Sequence, residues 1–217
     1  MLKQLLSVFL ESRCEFCQRA TSKTLCVYCQ KKLASCRLKE DYRLSLADNL
    51  PIFAWGKYDG QLKRAIALMK YDNKPEMGRV LGQLLGKAWL ESSLIEPQPK
   101  MTVVPIPLYS KKLKDRGFNQ AEIIAISFCQ LTGYGLNTKS LVRVRDTQAM
   151  FNLSPEDRVK NLHDAFRLVG KLPKHPVLLL DDIYTMGTTI KESANVLQQH
   201  NTRVIGAVVV AKTMNNN

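Results

Sequence analysis

The chain has 217 residues, 45% of them hydrophobic and 24% charged, with 32 Lys or Arg against 19 Asp or Glu and a formal net charge of +13. That length fits one sizeable core plus a small appendage, and the composition excludes an intrinsically disordered chain. The positive balance favours polyanions, whether phosphorylated metabolites, nucleic acid or anionic membrane, without choosing among them.

MLKQLLSVFLES opens the sequence. Its apolar stretch, Leu5 to Leu10, is too short and too interrupted for a signal peptide or a transmembrane segment, and reads as a short amphipathic helix. Five of the six cysteines fall between Cys14 and Cys36, unlike the spread of a disulfide-stapled domain. A cytoplasmic protein is the expectation. Cys14 and Cys17 form one C-x2-C pair, and Cys26 and Cys29 form a second. Two tight turns, each presenting two thiolates, supply the tetrahedron that zinc requires. With all four positions taken by sulfur, such a metal is structural Zn2+ and not catalytic. Cys36 lies outside this pattern, and Cys129 falls on the buried face of a predicted helix. Arg13, Arg19, Lys23, Lys31 and Lys32 surround the knuckle; they permit nucleic-acid contact and suit a solvated face equally well. Residues 1–48 therefore form an N-terminal helix and a small four-cysteine zinc-binding unit, and residues 49–217 form a second domain.

PIFAWGKY reads as a strand, and Leu62, Ile66 and Met69 share one face of the helix that follows. A second helix spans roughly Glu76 to Leu90, where Gly78, Gly82 and Gly86 recur at a spacing suited to close packing against a neighbour. EPQPK, from Glu96 to Lys100, is a linker or turn. Thr102 to Val104 is a short strand, ended by Pro105 and Pro107. KKLKDRGFNQAE reads as a basic loop opening a helix near Asn119, with Glu122 placed for a capping box. Lys111, Lys112, Lys114 and Arg116 just ahead of a helix N-terminus suit an anion. Arg143 to Leu153 reads as a long loop, the kind that closes over a ligand. Ser154-Pro-Glu-Asp starts the next helix. From Lys100 to Lys174 there are 13 Lys or Arg against 6 Asp or Glu, so much of the positive charge lies in this half.

The final unit is strand, loop, helix, strand. Val177 to Leu180 is an unalternated apolar run suited to a strand buried on both faces. Thr188 to His200 is helical, with Ile190, Ala194 and Leu197 on one face, and Arg203 to Val210 is another buried strand. This implies a parallel α/β sheet, whose ligands bind beyond the carboxyl ends of the strands. Asp181 and Asp182 lie at such an end. The turn Thr185-Met186-Gly187-Thr188-Thr189 then offers amides, hydroxyls and a helix N-terminus to a phosphate. It lacks both the P-loop and the dinucleotide glycine pattern. A ribose 5-phosphate fits both halves: phosphate in the turn, hydroxyls on the aspartates. The plain alternative is a turn start and a capped helix. None of His163, His175 and His200 stands at a spacing that marks a general base.

VLLLDDIYTMGTT resembles the phosphoribosyl diphosphate (PRPP) motif of type I phosphoribosyltransferases. The whole chain is similar to the ComF family of late-competence and gluconate-operon type proteins. The likeness rests on the cysteine pairs, YDGQLKRAIALMKY, VPIPLYSKKLKDRGFNQAE, RVRDT, Arg158 with Asn161, and the terminal aspartate motif. Met150 stands where the family usually carries a glutamine three residues after the threonine matching Thr147; the nearest glutamine is Gln148. The resemblance implies a phosphoribosyltransferase-like, mostly parallel sheet with helices on both faces. Asp181 and Asp182 would hold the ribose hydroxyls of PRPP and its Mg2+, and Thr185 to Thr189 the 5-phosphate. Val104, Pro105 and Ile106, running on to Pro107, would form the pyrophosphate loop with Arg116 facing the diphosphate. Arg143 and Arg145 would begin the closing loop. It implies two roles: phosphoribosyl transfer to an unread acceptor, or handling of single-stranded DNA during natural transformation beside a competence helicase. A PRPP-sensing regulator is a third.

Overall fold

The computed structural model describes residues 12–40, 43–47, 49–92, 100–145 and 165–214. The amphipathic segment Leu5–Leu10, the EPQP stretch, Thr147, Gln148, Met150, the helix start at Ser154, Arg158, Asn161 and His163 lie outside the described residues.

A six-stranded sheet organises the molecule, in the order β1-β2-β8-β7-β3-β4. Its strands are β1 (Leu44–Ala47), β2 (Leu50–Lys57), β3 (Thr102–Pro105), β4 (Gly135–Leu136), β7 (Val177–Tyr184) and β8 (Val204–Lys212). Five of them run parallel, and β1 adds an antiparallel edge. The central strands β7 and β8 carry unalternated apolar runs, and their middles are buried on both faces. Such strands need helices above and below. A separate two-stranded ribbon joins β5 (Leu141–Arg143) to β6 (Phe166–Leu168).

One face of the sheet carries helices α2 (Gly60–Tyr71), α3 (Pro75–Leu90) and α5 (Gln120–Thr132). The cysteine-bearing segment, with α1 (Val27–Ala34), lies on that face too: Cys14, Phe16, Leu25, Cys29 and Leu33 share one core with Phe53, Trp55, Leu62 and Met77. The other face carries α6 (Thr188–Gln199) and the β5–β6 ribbon, through Ile190, Leu197, Leu141 and Phe166. The sequence signals act as physical chemistry expects. Asp59 caps α2 by accepting from the Gly60 amide at 2.7 Å. Pro75 begins α3. Asn119 caps α5 by accepting from the Ala121 amide at 3.1 Å. The three α3 glycines face α5: a Cβ at Gly82 would clash with the Ile124 carbonyl oxygen and come within 2.8 Å of the Ser127 Cβ.

Three expectations change. The basic stretch after β3 is not a loop but a short helix, α4 (Ser110–Arg116), ended by Gly117 in the left-handed region at φ 83°. Four helix-favouring residues in a row outweigh the charge repulsion there. Arg143 ends a strand instead of opening a loop, because Val142 and Leu141 pair with β6. β7 does not stop at Leu180; it stays paired with β8 through both aspartates to Tyr184.

The chain from β3 passes through α4 and α5 to β4 on one side, whereas the chain from β7 passes through α6 to β8 on the other. Connections that leave neighbouring parallel strands in opposite directions open a crevice at their carboxyl ends. That crevice lies between Pro105 on β3 and Asp181 on β7. The architecture is the phosphoribosyltransferase-like α/β fold, with a cysteine unit added on one face.

Gly82→Ala should destabilise the protein by about 1–3 kcal/mol, the usual cost of overpacking a tight contact. A urea unfolding midpoint equal to wild type would show that α3 and α5 have room to separate.

Candidate functional site

Side chains alternate along β7. Leu178 and Leu180 face the α2–α3–α5 side and Val177 and Leu179 face the α6 side. The two aspartates follow at the end of this run, where their side chains meet and hydrogen-bond one another. Asp182 is buried on the α2 side, where its Oδ2 lies 2.6 Å from Lys70 Nζ. Asp181 is half-buried, and its Oδ1 accepts from the Asp182 amide at 2.8 Å.

Burial acts against the Lys70 ammonium, but the Asp182 carboxylate outweighs it and holds Lys70 above its ordinary pKa. The Asp181 carboxyl is pushed up to about 8, first by burial and then by the negative charge of Asp182. Lys70 is the residue that sequence reading missed. It lies in the last turn of α2, and its helical register gave no sign that it meets β7; only the fold brings residue 70 to residue 182. Lys212, opposite Tyr184 in the β8 register, is a second unread cation at this end of the sheet, its pKa lowered by burial.

The turn after β7 leads directly into α6. Gly187 caps that helix at φ 74°, a conformation that costs other residues. A Cβ there would also come within 2.8 Å of the Tyr184 ring. The first helical bond runs from the Lys191 amide to the Gly187 carbonyl at 2.9 Å. The amides of Thr188, Thr189 and Ile190 therefore have no acceptor within the helix, the usual state of a first turn. Thr185 and Met186 are exposed, and Thr188 and Thr189 half-buried. Beside this turn, Val104 and Pro105 pair in register with Leu179 and Leu180, and the Ile106 amide donates to the Leu180 carbonyl at 2.8 Å. The Asn119 amide nitrogen donates to the Ile106 carbonyl at 3.0 Å, tying the start of α5 to the same loop.

The structure thus brings residues 104–106, Asp181, Asp182 and the turn 185–189 to the carboxyl ends of the neighbouring strands β3 and β7. Arg116 closes α4, where its Nη1 donates to Gln120 Oε1 at 2.5 Å. Arg143 sits 5.5 Å from the centre of the Phe166 ring, on the ribbon that packs against the α6 face, and Arg145 follows, exposed. His175 and His200 are exposed.

The sulfurs of Cys14, Cys17, Cys26 and Cys29 all lie within 4.8 Å of one another, with Cys17 and Cys26 at 3.6 Å. Zinc–sulfur bonds of about 2.3 Å in a tetrahedron put sulfurs about 3.8 Å apart, so the cluster has the donor set and spacing of a structural zinc site. Cys26 and Cys29 stand at the amino end of α1, where the helix dipole favours thiolates. Burial disfavours charge at Cys14, but amides of Cys26, Cys17 and Phe16 more than offset it and lower its pKa to about 6. Cys29, buried among the other sulfurs, is pushed up to about 12. A cation at the centre removes that conflict.

No protein-family model matches the chain. Among curated proteins, it is 27% identical over 213 residues to Competence protein F of Haemophilus influenzae, covering 88% of this chain and 93% of that protein. It is 27% identical over 159 residues to DNA utilization protein YhgH of Salmonella typhi, covering 72% of this chain and 70% of that protein. Competence protein ComFC of Bacillus subtilis is 24% identical over 179 residues, with 80% and 70% covered. The likeness to these proteins, together with the four-cysteine cluster, supports a ComF-family protein. Among the described residues, no helix is long and apolar enough to cross a membrane.

The raised Asp181 pKa fixes a pH dependence. A carboxyl whose folded pKa lies above its unfolded value binds more protons when folded, so its contribution to stability is lost as pH rises from about 4 towards 8. Asp181→Asn removes that loss. Its melting temperature should match wild type near pH 4 and exceed it increasingly towards pH 8; parallel curves across that range would refute the assignment.

Proposed function

We propose that this chain is a DNA-handling factor of the competence type, which binds single-stranded DNA during uptake and keeps a PRPP-type ribose 5-phosphate site in its sheet. One observation carries the reading: the likeness, over 88% of the chain, to a protein named for competence. The DNA utilization proteins support it from a second direction. The physical support is charge. A formal net charge of +13 provides the sequence-independent attraction that dominates non-specific binding to nucleic acid. Lys111 and Lys114 on α4, which follows β3 in the chain, are exposed, and Tyr109 and Phe118 on either side of that helix are half-buried. On this reading the protein works in the cytoplasm beside a helicase of the uptake machinery. The four cysteines hold zinc as a folding element, since their donor set leaves no position open for substrate.

The crevice itself favours a second reading, phosphoribosyl transfer. Oxygen donors suit magnesium, and Asp181 and Asp182 are the carboxylates at hand. The turn 185–189 would take the 5-phosphate on the α6 amides, and residues 104–106 with Arg116 would face the diphosphate. Magnesium, when bound with PRPP, would neutralise the charge that develops on departing pyrophosphate. The chain's own part is to hold the ribose by its hydroxyls and the phosphate by the helix start. The same site without turnover would make a PRPP sensor.

The DNA reading predicts that a fluorescent oligothymidine binds with an affinity that falls steeply between roughly 50 and 200 mM salt, with a log–log slope near −0.7 for each phosphate contacted. No binding at the low-salt end would sink it. For the ligand site, Asp182→Asn should weaken magnesium–PRPP binding at least tenfold in calorimetry, on the order of 1.4 kcal/mol or more. Equal affinity would remove Asp182 from the site. Pyrophosphate release with added bases, nucleotides or DNA separates a transferase from a sensor.

A further inference from the structure

Helix α2 touches both chemical centres of the molecule. Arg64 donates from Nη2 to the Phe16 carbonyl at 2.7 Å, and its guanidinium lies 4.9 Å from the centre of the Phe16 ring. Lys74, just beyond the helix and at the start of α3, meets Glu15 at 3.1 Å. Glu15 and Phe16 are the two residues between Cys14 and Cys17, so the first knuckle turn grips the chain in two places. Lys70 stands between these anchors and reaches Asp182 at 2.6 Å. From Arg64 to Lys70 the helix rises about 9 Å as a rigid rod.

We propose that α2 couples the four-cysteine centre to the acidic site, with Arg64 and Lys70 as positioning residues. Convergence of the four sulfurs on a metal fixes the shape of the 14–17 turn. That turn fixes the helix on both sides of Lys70, and Lys70 fixes the buried carboxylate of Asp182. The helix has little freedom to absorb a displacement, because Leu62, Ala65, Ile66 and Met69 are fully buried along its inner face. The cysteine unit then does more than fold itself. It sets the cation that faces Asp182, and loss of the metal loosens a site on the far side of the helix. Coupling between two binding centres is reciprocal, so a change at Asp182 must be felt at the cysteines.

Two readouts on the zinc-loaded full chain test this. One is the rate of zinc transfer to a chromogenic chelator; the other is calorimetric binding of magnesium–PRPP, which rests on the ligand site proposed above. Lys70→Met should speed zinc transfer about fivefold or more, although residue 70 touches no cysteine, and Arg64→Met should weaken magnesium–PRPP by a similar factor. Arg64→Lys, which can still donate to the Phe16 carbonyl, should recover part of that loss. If Lys70→Met does not fold, Asp182→Asn breaks the same contact and carries the same expectation for zinc transfer. Leu197→Ala on α6 lowers global stability away from α2 and should leave zinc transfer at the wild-type rate. The coupling is overturned if zinc transfer is unchanged in both Lys70→Met and Asp182→Asn, or if Leu197→Ala accelerates it equally. A chain that takes up no zinc overturns it outright. If wild type binds zinc but no magnesium–PRPP, the ligand reading fails on its own, and zinc transfer alone decides the coupling.

Discussion

A carboxylate beneath the surface of a sheet needs a counter-charge, and Asp182 has one in Lys70 at 2.6 Å. Removing either partner of a buried pair leaves an uncompensated charge and costs about 3–5 kcal/mol. That single contact constrains much else. It requires the last turn of α2 to lie over the carboxyl end of β7. It therefore requires β2, which delivers α2, to sit on the β8 side of β7, as the order β2-β8-β7 provides. A cation in the last turn of a helix is also favoured by the helix dipole, so local and long-range electrostatics agree at Lys70.

Most of the regular structure was legible because one local signal sufficed for each element. Asp59, Pro75 and Asn119 mark helix starts, and the unalternated runs of β7 and β8 mark strands buried on both faces. The paired cysteines announced their own geometry, since each C-x2-C turn is a local object. Elements whose existence depends on partners were not legible. β1 pairs with β2 only because β2 offers a free edge, and β4 has two residues and no pattern of its own. Leu141–Arg143 is a strand only because Phe166–Leu168 lies beside it, with more than twenty residues between them in the chain.

The acidic motif shows where sequence adjacency misleads. Two neighbouring aspartates look like one bidentate group. A lysine from another element distinguishes them: Asp182 carries the ion pair with Lys70, and the charge of Asp182 in turn pushes the Asp181 carboxyl up. β7 stays paired with β8 through both residues, so the acidic pair is held on a strand and not on a turn. Asp182 faces α2, and Asp181 accepts from the Asp182 amide beside it. Nothing in the order Asp-Asp-Ile-Tyr states this, and neither does the spacing of Lys70 within α2. Both follow from the sheet.

The two sides meet in one place. Along most of β7 the sheet separates the α6 side from the α2 side, and side chains of the two cores do not mix. At the carboxyl end the barrier stops, and the opposite departures of the β3 and β7 connections leave the edge uncovered. On the proposed reading, a ligand lying across that edge would meet the α6 amides with one part and the two aspartates, with the lysine of Asp182, with another. Such a ligand needs an anionic group for the helix start and hydroxyls or a cation for the carboxylates. A simple phosphate would satisfy only the first side, and a bare divalent ion only the second. On the proposed reading, a sugar phosphate is selected because it spans the edge, with its phosphate at the helix start and its hydroxyls at the acidic pair.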